Sequence, residues 1–422
     1  MLNKKQKEFF EKAIRGENLF ITGSAGVGKS FLIRAIIEEK KKEGKKSIIC
    51  APTGIAARSI GGYTIHNQFH LSPTTLKIRE GSNKWIEKID LIIIDEISMV
   101  PFYIFDMVGR EIKRINPDCQ IIVVGDFYQL PPVVTDKDLQ TVISRYRYQN
   151  LIPGEYHCFH SEMWKEFDFK TCVLDEAMRQ SDQNFSTALF NLSRGKLTKE
   201  DCQFLRKAQL NSRNEDFVTI CTTNKAANKI NNDHLKSIKA NLFTYEAHYW
   251  GEFDKEIEKI VNFKVGAKVM MTVNTEEYCN GDLGEIVGIK DNEVKVRLMS
   301  GEEVVVIPYE FKTFIANEEG GSSLIGSIEQ FPIKLAWAIT VHKSQGQTFN
   351  GINFDFKGWR IDGSQNLTLL YVGLSRSRSI ETTYLSINEA VPPFTNQVVS
   401  KFYNGEFITY TRPWSQTTTI GF

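Results

Sequence analysis

The sequence predicts an α/β protein with parallel sheets and a smaller all-β insertion, and three observations carry that expectation. Nearly continuous apolar runs alternate with segments of helical spacing, as strands buried on both faces of a parallel sheet do. The stretch Gly23-Ser24-Ala25-Gly26-Val27-Gly28-Lys29-Ser30 joins the first such run to a helix. Further on, short β-branched runs are separated by Asn280-Gly281, Asp291-Asn292 and Ser300-Gly301 turns, which reads as antiparallel hairpins.

Each element follows in order. Leu19-Phe20-Ile21 suits a buried strand, and Phe31, Leu32, Ala35 and Ile36 recur at helical spacing after the glycine-rich stretch. The stretch between them fills the pattern of glycine, four residues, Gly-Lys-Ser, so it reads as a phosphate-binding loop. Its backbone N–H groups turn inward around the β- and γ-phosphates, Lys29 adds positive charge, and the Ser30 hydroxyl ligands Mg²⁺. A nucleoside triphosphate and Mg²⁺ are therefore the expected ligands of this loop.

Ser47-Ile48-Ile49-Cys50-Ala51 is a second strand, Asp90-Leu91-Ile92-Ile93-Ile94-Asp95 a third, and Cys119-Gln120-Ile121-Ile122-Val123-Val124-Gly125 a fourth. Ligands of such sheets gather at the carboxyl ends of the strands. The third closes with Asp95-Glu96-Ile97-Ser98, where Asp95 would hold Mg²⁺ and Glu96 polarise the attacking water. The fourth runs into Gly125-Asp126-Phe127-Tyr128-Gln129-Leu130-Pro131-Pro132-Val133, where Gln129 is placed to hydrogen-bond a γ-phosphate.

Composition sets mild limits. A chain of 422 residues is long for one core, and 41% hydrophobic with 24% charged residues is ordinary globular usage. The net charge of +1 neither supports nor excludes a polyanionic partner. Seven cysteines, Cys50, Cys119, Cys158, Cys172, Cys202, Cys221 and Cys279, form no Cys-x-x-Cys pair, which fits a reducing compartment without a disulfide framework. Cys158 and His160 lie close, but no second ligand pair stands at metal spacing, so local packing is the reading there. The first residues start a charged amphipathic helix, and no 18-residue apolar span occurs, so no membrane partner is expected.

Further motifs carry a resemblance. Ala51-Pro52-Thr53-Gly54-Ile55-Ala56-Ala57 with Gly61-Gly62-Tyr63-Thr64-Ile65-His66 resembles motif Ia and its extension in Pif1-type DNA helicases of superfamily 1. The run Gly125 to Val133 resembles motif III of that group, and Leu174-Asp175-Glu176-Ala177-Met178-Arg179-Gln180 resembles motif IV. Leu335-Ala336-Trp337-Ala338-Ile339-Thr340-Val341-His342-Lys343-Ser344-Gln345-Gly346 is similar to motif V, and Tyr371-Val372-Gly373-Leu374-Ser375-Arg376 to motif VI.

The resemblance implies two RecA-like P-loop lobes with a small 1B insertion and an SH3-like 2B insertion. Lobe 1A would take residues 1–175 with 1B near 70–88, lobe 2A residues 176–263 and 331–422, and 2B residues 264–330. Arg179 and Arg376 would reach the γ-phosphate from the second lobe, where a planar cationic fork suits phosphoryl oxygens. Gln6 would read the adenine edge, and Gly346 would line the nucleotide. Pro52, Thr53, Thr64, His66 and Asn67 would contact single-stranded DNA on the first lobe, as Thr340, His342 and Lys343 would on the second. Phe69, His70 and Leu71 would contribute to a duplex-parting wedge. Two segments depart from the pattern: Pro101-Phe102 replaces the usual Asp-Gly turn, and Leu369-Leu370 replaces Gly-Gln.

The implied function is a monomeric, Mg²⁺- and ATP-dependent helicase that moves 5′ to 3′ on single-stranded DNA and unwinds forked duplex. Roles in replication, recombination, repair and telomere maintenance go with the family. Such an enzyme would be cytoplasmic in a bacterium or phage host, with nucleus or mitochondrion open for other sources. A DNA-stimulated ATPase that remodels protein–DNA complexes without unwinding is the alternative. A nucleotide-regulated binding module with a dead centre is disfavoured by intact Lys29, Asp95, Glu96, Gln129, Arg179 and Arg376.

Overall fold

A computed structural model of the chain describes residues 2–24, 26–73, 75–174, 183–251, 257–316, 322–356, 364–387 and 397–405. Six strands build the first sheet: β1 (Leu19–Thr22), β2 (Ser47–Ala51), β3 (Tyr63–Thr64), β4 (Leu91–Ile94), β5 (Gln120–Val124) and β6 (Lys170–Val173). They lie in the order β3-β2-β4-β5-β1-β6, and every pairing is parallel. Strands β1, β4 and β5 are buried along their whole length because both faces are covered. Leu19, Ile21, Leu91, Ile93, Ile122 and Val124 face one core with Phe9, Leu32 and Ile36. Their neighbours Phe20, Ile92, Ile94, Ile121 and Val123 face the other, against the helix Phe102–Ile115. Apolar residues on both sides of the pleat explain the unbroken runs in the sequence.

The second lobe starts at β7 (Val218–Cys221) and is interrupted by ten strands: β8 (Phe243–Glu246), β9 (His248–Gly251), β10 (Ile260–Phe263), β11 (Lys268–Met271), β12 (Leu283–Lys290), β13 (Glu293–Leu298), β14 (Glu303–Val306), β15 (Tyr309–Ala316), β16 (Ser322–Gln330) and β17 (Ile333–Leu335). It resumes with β18 (Ala338–Thr340), β19 (Ile352–Asp355) and β20 (Thr383–Ser386), giving a parallel sheet β18-β7-β19-β20. The architecture is thus mixed α/β with two parallel sheets.

The β insertion is larger than its expected span of 264–330. Its main sheet, β14-β13-β12-β11-β17, ends at Leu335, while β8 pairs β10 and β9 pairs β16. Residues 243–263 therefore belong with the insertion and not with the parallel lobe. The sequence hid this because β9 is exposed throughout and shows no alternation, whereas β10, β13 and β14 alternate cleanly.

The two departures from the family pattern have structural roles. Pro101 caps the helix Phe102–Ile115, where a fixed φ and a missing N–H cost nothing, and Phe102 is buried edge-on against Tyr148. Leu369 and Leu370 are buried on the helix Ser364–Leu374. Among the described residues no helix is long and apolar enough to cross a membrane.

Candidate functional site

The carboxyl ends of β1, β2, β4 and β5 open on one edge of the first sheet, and the site grows from them. At β1 the chain turns through Gly23, whose φ is +148° and where a Cβ would stand 2.2 Å from the Leu174 carbonyl oxygen. Only glycine fits. Gly28, at φ 86°, caps the helix Lys29–Lys42 without any side-chain hydrogen bond, so the first helical N–H groups point into the loop. The Lys29 ammonium donates to the carbonyls of Gly23 (2.7 Å) and Ser24 (3.0 Å), which holds the cation inside the loop. Ala25 lies outside the described residues; Val27 is buried and Ser30 half-buried.

Strand β4 delivers the acidic pair. Asp95 is buried, and its Oδ1 accepts the Glu96 N–H at 2.8 Å. Burial, with the Glu96 charge beside it, raises the Asp95 carboxyl to about 7, opposed by that hydrogen bond and by Lys29. Glu96 adopts a left-handed conformation, φ 50°, a strain typical of residues held for function. A hard cation fits here: Ser30 and Asp95 offer oxygen donors beside a phosphate loop, and a cation would offset the burial of the Asp95 charge. Strand β5 delivers Gln129, buried with an Oε1 that has no hydrogen-bond partner, an acceptor suited to a water or phosphate-bound proton.

The second lobe closes over this edge. Arg376 is buried, donating to the carbonyls of Val372 (2.9 Å) and Gln347 (3.2 Å) and to Ser375 Oγ (2.7 Å). Burial lowers its pKa, while the charges of Glu96, Tyr371 and Asp126 oppose that shift. Arg179 falls outside the described residues. Gly346 follows motif V at φ 79°.

Several contacts across the lobes were not assigned from sequence. Tyr371 Oη donates to Asp126 Oδ2 at 2.7 Å, both buried. From the helix Gln397–Tyr403, the Tyr403 hydroxyl lies 2.7 Å from Thr22 Oγ1, and its ring stacks on Tyr128 at 5.2 Å and 11°. Arg194 sits 5.4 Å over the other partner of that stack, Tyr128. A buried tyrosine hydroxyl within an apolar helix needs a partner, which is the signal that would have marked Tyr371.

The DNA-contact candidates split by strand end. Pro52 and Thr53 follow β2, and Thr53 Oγ1 accepts the Ala56 N–H at 3.3 Å, capping the helix Gly54–Ser59. Thr64 caps Ile65–Gln68 through Asn67 N, with His66 half-buried and Asn67 exposed. Burial lowers the His66 pKa, favouring a neutral imidazole. Thr340 ends β18, and His342 and Lys343 are exposed on the short helix after it. Lys343 also lines a cavity of about 850 Å³ with Lys236, Lys334, Asn228 and Asn280, cationic and amide groups that sequence reasoning missed because they come from distant elements. The Asn274 side chain of the insertion fills the space that a Cβ on Gly54 would take, so the insertion and the first lobe come together beside these residues.

Two expectations need correction or extension. Phe69 and Leu71 are buried in the first-lobe core, Phe69 against Trp85 at 5.5 Å, so neither can form an exposed wedge; His70 alone is exposed. Gln6, expected at the adenine edge, is buried, and its side chain completes a capping box with Asn3 at the start of the helix Lys4–Ile14.

Fold and site together define a two-lobed P-loop nucleotide hydrolase, with the phosphate loop and acidic pair on one lobe and a buried arginine on the other. The PIF1-like helicase family model matches residues 1–203. The ATP-dependent DNA helicase Pif1 of Campylobacter jejuni is 31% identical over 419 residues, covering 88% of this chain and 89% of that protein. Bacteroides Pif1 bound to single-stranded DNA superposes with a TM-score of 0.80 at 29% identity, covering 96% of each chain. A structure of two coordinating Pif1 helicases at forked duplex DNA gives 0.78 at 29% identity, covering 96% of this chain and 97% of that one. The chain belongs to the PIF1-like helicase family. It spans 60% of the length of the zebrafish, rat and human relatives it matches.

Proposed function

We propose that this chain moves 5′ to 3′ along single-stranded DNA and unwinds forked duplex, coupling each step to hydrolysis of Mg²⁺-ATP. By its family it is an ATP-dependent DNA helicase. The observation that carries the motor reading is the 2.7 Å hydrogen bond from buried Tyr371, on the helix that leads into Arg376 of the second lobe, to buried Asp126 of the first. Such a site completes itself only when the lobes meet, so nucleotide binding and lobe closure become one event.

In this reading Lys29 and the loop N–H groups hold the phosphates. Ser30 and Asp95 hold Mg²⁺, which when bound neutralises charge on the phosphate oxygens. Glu96 takes a proton from the attacking water, Gln129 orients that water, and Arg376 with Arg179 stabilises charge on the transferring group. Pro52, Thr53, Thr64, His66, Asn67, Thr340, His342 and Lys343 grip the strand through phosphate and sugar, without reading bases. The SH3-like insertion walls the channel, a role supported by the contact of Asn274 with Gly54. Lys29 and Arg376 stand on one chain, so a monomer carries both walls of the ATPase site.

Duplexes with 5′ or 3′ single-stranded tails, incubated with the protein and ATP, test the proposal. Strand separation restricted to the 5′-tailed fork is expected. Separation only from 3′ tails would overturn the polarity, and ATP turnover with no separation at all would point to a translocase that remodels protein–DNA complexes.

A further inference from the structure

In the segment that bridges to Pro101, the chain gathers a second set of ligating groups. Glu155, His157 and His160 each present a ligand atom, and these atoms lie within 4.8 Å of one another. His157 is only 1% exposed, yet neither of its ring nitrogens has a hydrogen-bond partner. Its Nδ1 stands 3.5 Å from Glu155 Oε2. A buried imidazole without partners is costly, and satisfying it demands a donor, an acceptor or a metal.

We propose that Glu155, His157 and His160 bind one zinc-class divalent cation. Two imidazole nitrogens and one carboxylate are a borderline ligand set that suits Zn²⁺ and disfavours Mg²⁺, which prefers oxygen. Zinc bonds of about 2.0–2.1 Å at tetrahedral angles put ligand atoms about 3.4 Å apart, close to the Glu155–His157 separation. The remaining ligand needs to close by up to about 1.4 Å, from within 4.8 Å to about 3.4 Å, and water would take the fourth position. The side chain of Glu155 is 22% exposed, which gives the ion a route in. Cys158 is not part of the set, because its thiol contacts the Ile97 carbonyl at 3.5 Å.

The ion would brace three elements at once. Pro101 forms a β-bridge with His157, and Phe102 N donates to the Tyr156 carbonyl at 2.9 Å, tying the segment to the helix that follows Asp95-Glu96. The His157 ring stacks on Phe159 at 5.0 Å and 10°, and Phe159 stacks in turn on Phe402 at 4.2 Å and 14°. The brace thus reaches from the acidic-pair segment to the last described helix.

The test uses the full chain, stripped with a chelator and titrated with Co²⁺, whose tetrahedral complexes absorb strongly in the visible. One equivalent of tetrahedral Co²⁺, displaced by Zn²⁺ but not by excess Mg²⁺ and lacking a thiolate charge-transfer band, is expected. Zn²⁺ should also raise the thermal unfolding midpoint of the wild type by a few degrees. Glu155→Gln and His157→Phe should each lose the cobalt spectrum and the thermal shift while still binding a fluorescent ATP analogue. Glu155→Gln, a nearly isosteric change at a partly exposed position, keeps the test decisive where His157→Phe does not fold. A weak octahedral spectrum in the wild type, or an undiminished tetrahedral one in Glu155→Gln, would overturn the assignment.

Discussion

Replacing Tyr371 with phenylalanine removes one oxygen atom and one contact between the lobes. Tyr371 Oη donates to Asp126 Oδ2 at 2.7 Å, while Asp126 Oδ1 accepts the Tyr128 N–H at 3.0 Å, so each carboxylate oxygen has one donor. Tyr371 is fully buried and Asp126 nearly so, which leaves water no ready way to replace the lost donor. A hydrogen bond to a charged group contributes about 1.5–3 kcal/mol, and an orphaned buried acceptor costs a similar amount, so Tyr371→Phe should destabilise by about 2 kcal/mol. The ring and its packing stay, so no cavity adds to this figure. Asp126→Asn weakens the same contact from the other side, because its amide offers one acceptor oxygen where the carboxylate offers two. Urea unfolding of wild type, both single variants and the double variant gives the coupling, expected at about 1–2 kcal/mol. In kinetics the same loss predicts kcat/KM for ATP falling by about 30-fold at 2 kcal/mol, if closure passes through this contact. Single effects that simply add to within about 0.3 kcal/mol would refute the claim that this bond joins the lobes.

Other expectations follow from the site. Lys29→Ala and Glu96→Gln should each abolish DNA-stimulated ATP turnover with an unchanged circular-dichroism spectrum, and full turnover in either would remove that residue from the site. Arg376→Ala should keep ATP binding and lose hydrolysis by about 10³-fold or more; loss of binding alone would contradict its role at the transferring phosphate. Gly23→Ala drives a methyl group against the Leu174 carbonyl and should abolish binding of a fluorescent ATP analogue, with normal affinity as the contrary result. Phe402→Ala removes a ring that stacks on Phe159 and meets Phe20, Phe127 and Trp164, and should cost about 3–5 kcal/mol in urea unfolding. A change below about 1 kcal/mol would mean that this helix does not complete the core.

The parallel sheets were legible because burial on both faces writes itself as unbroken apolar runs. Ser47 to Ala51 reads directly as the strand found there, and the phosphate loop and Asp95-Glu96 stand at the strand ends where such sheets place ligands. Local chemistry of that kind lies in consecutive residues. The insertion was misjudged at its near edge because β9 exposes all of its residues and carries no period. Phe69 and Leu71 looked like an apolar tip by sequence alone, whereas burial is set by elements far along the chain. For the same reason nothing near Asp126 announces Tyr371, which is 245 positions away. The Glu155–His157–His160 set was passed over because ligand geometry depends on a short helical turn, Cys158–His160, and not on spacing.

The helix Gln397–Tyr403 has a consequence for how the chain is made. It follows the last strand of the second lobe, yet Phe402 and Tyr403 pack against Phe20, Phe127 and Thr22 of the first. The Thr22–Tyr403 contact spans 381 positions. A ribosome therefore releases the phosphate-loop lobe with part of its interior still open, and that lobe can finish folding only after the second has emerged. Contacts of such separation are slow to close, so refolding should show a late phase that reports on aromatic burial in the first lobe. The enzyme would then gain its first working nucleotide site only once the whole motor has been synthesised.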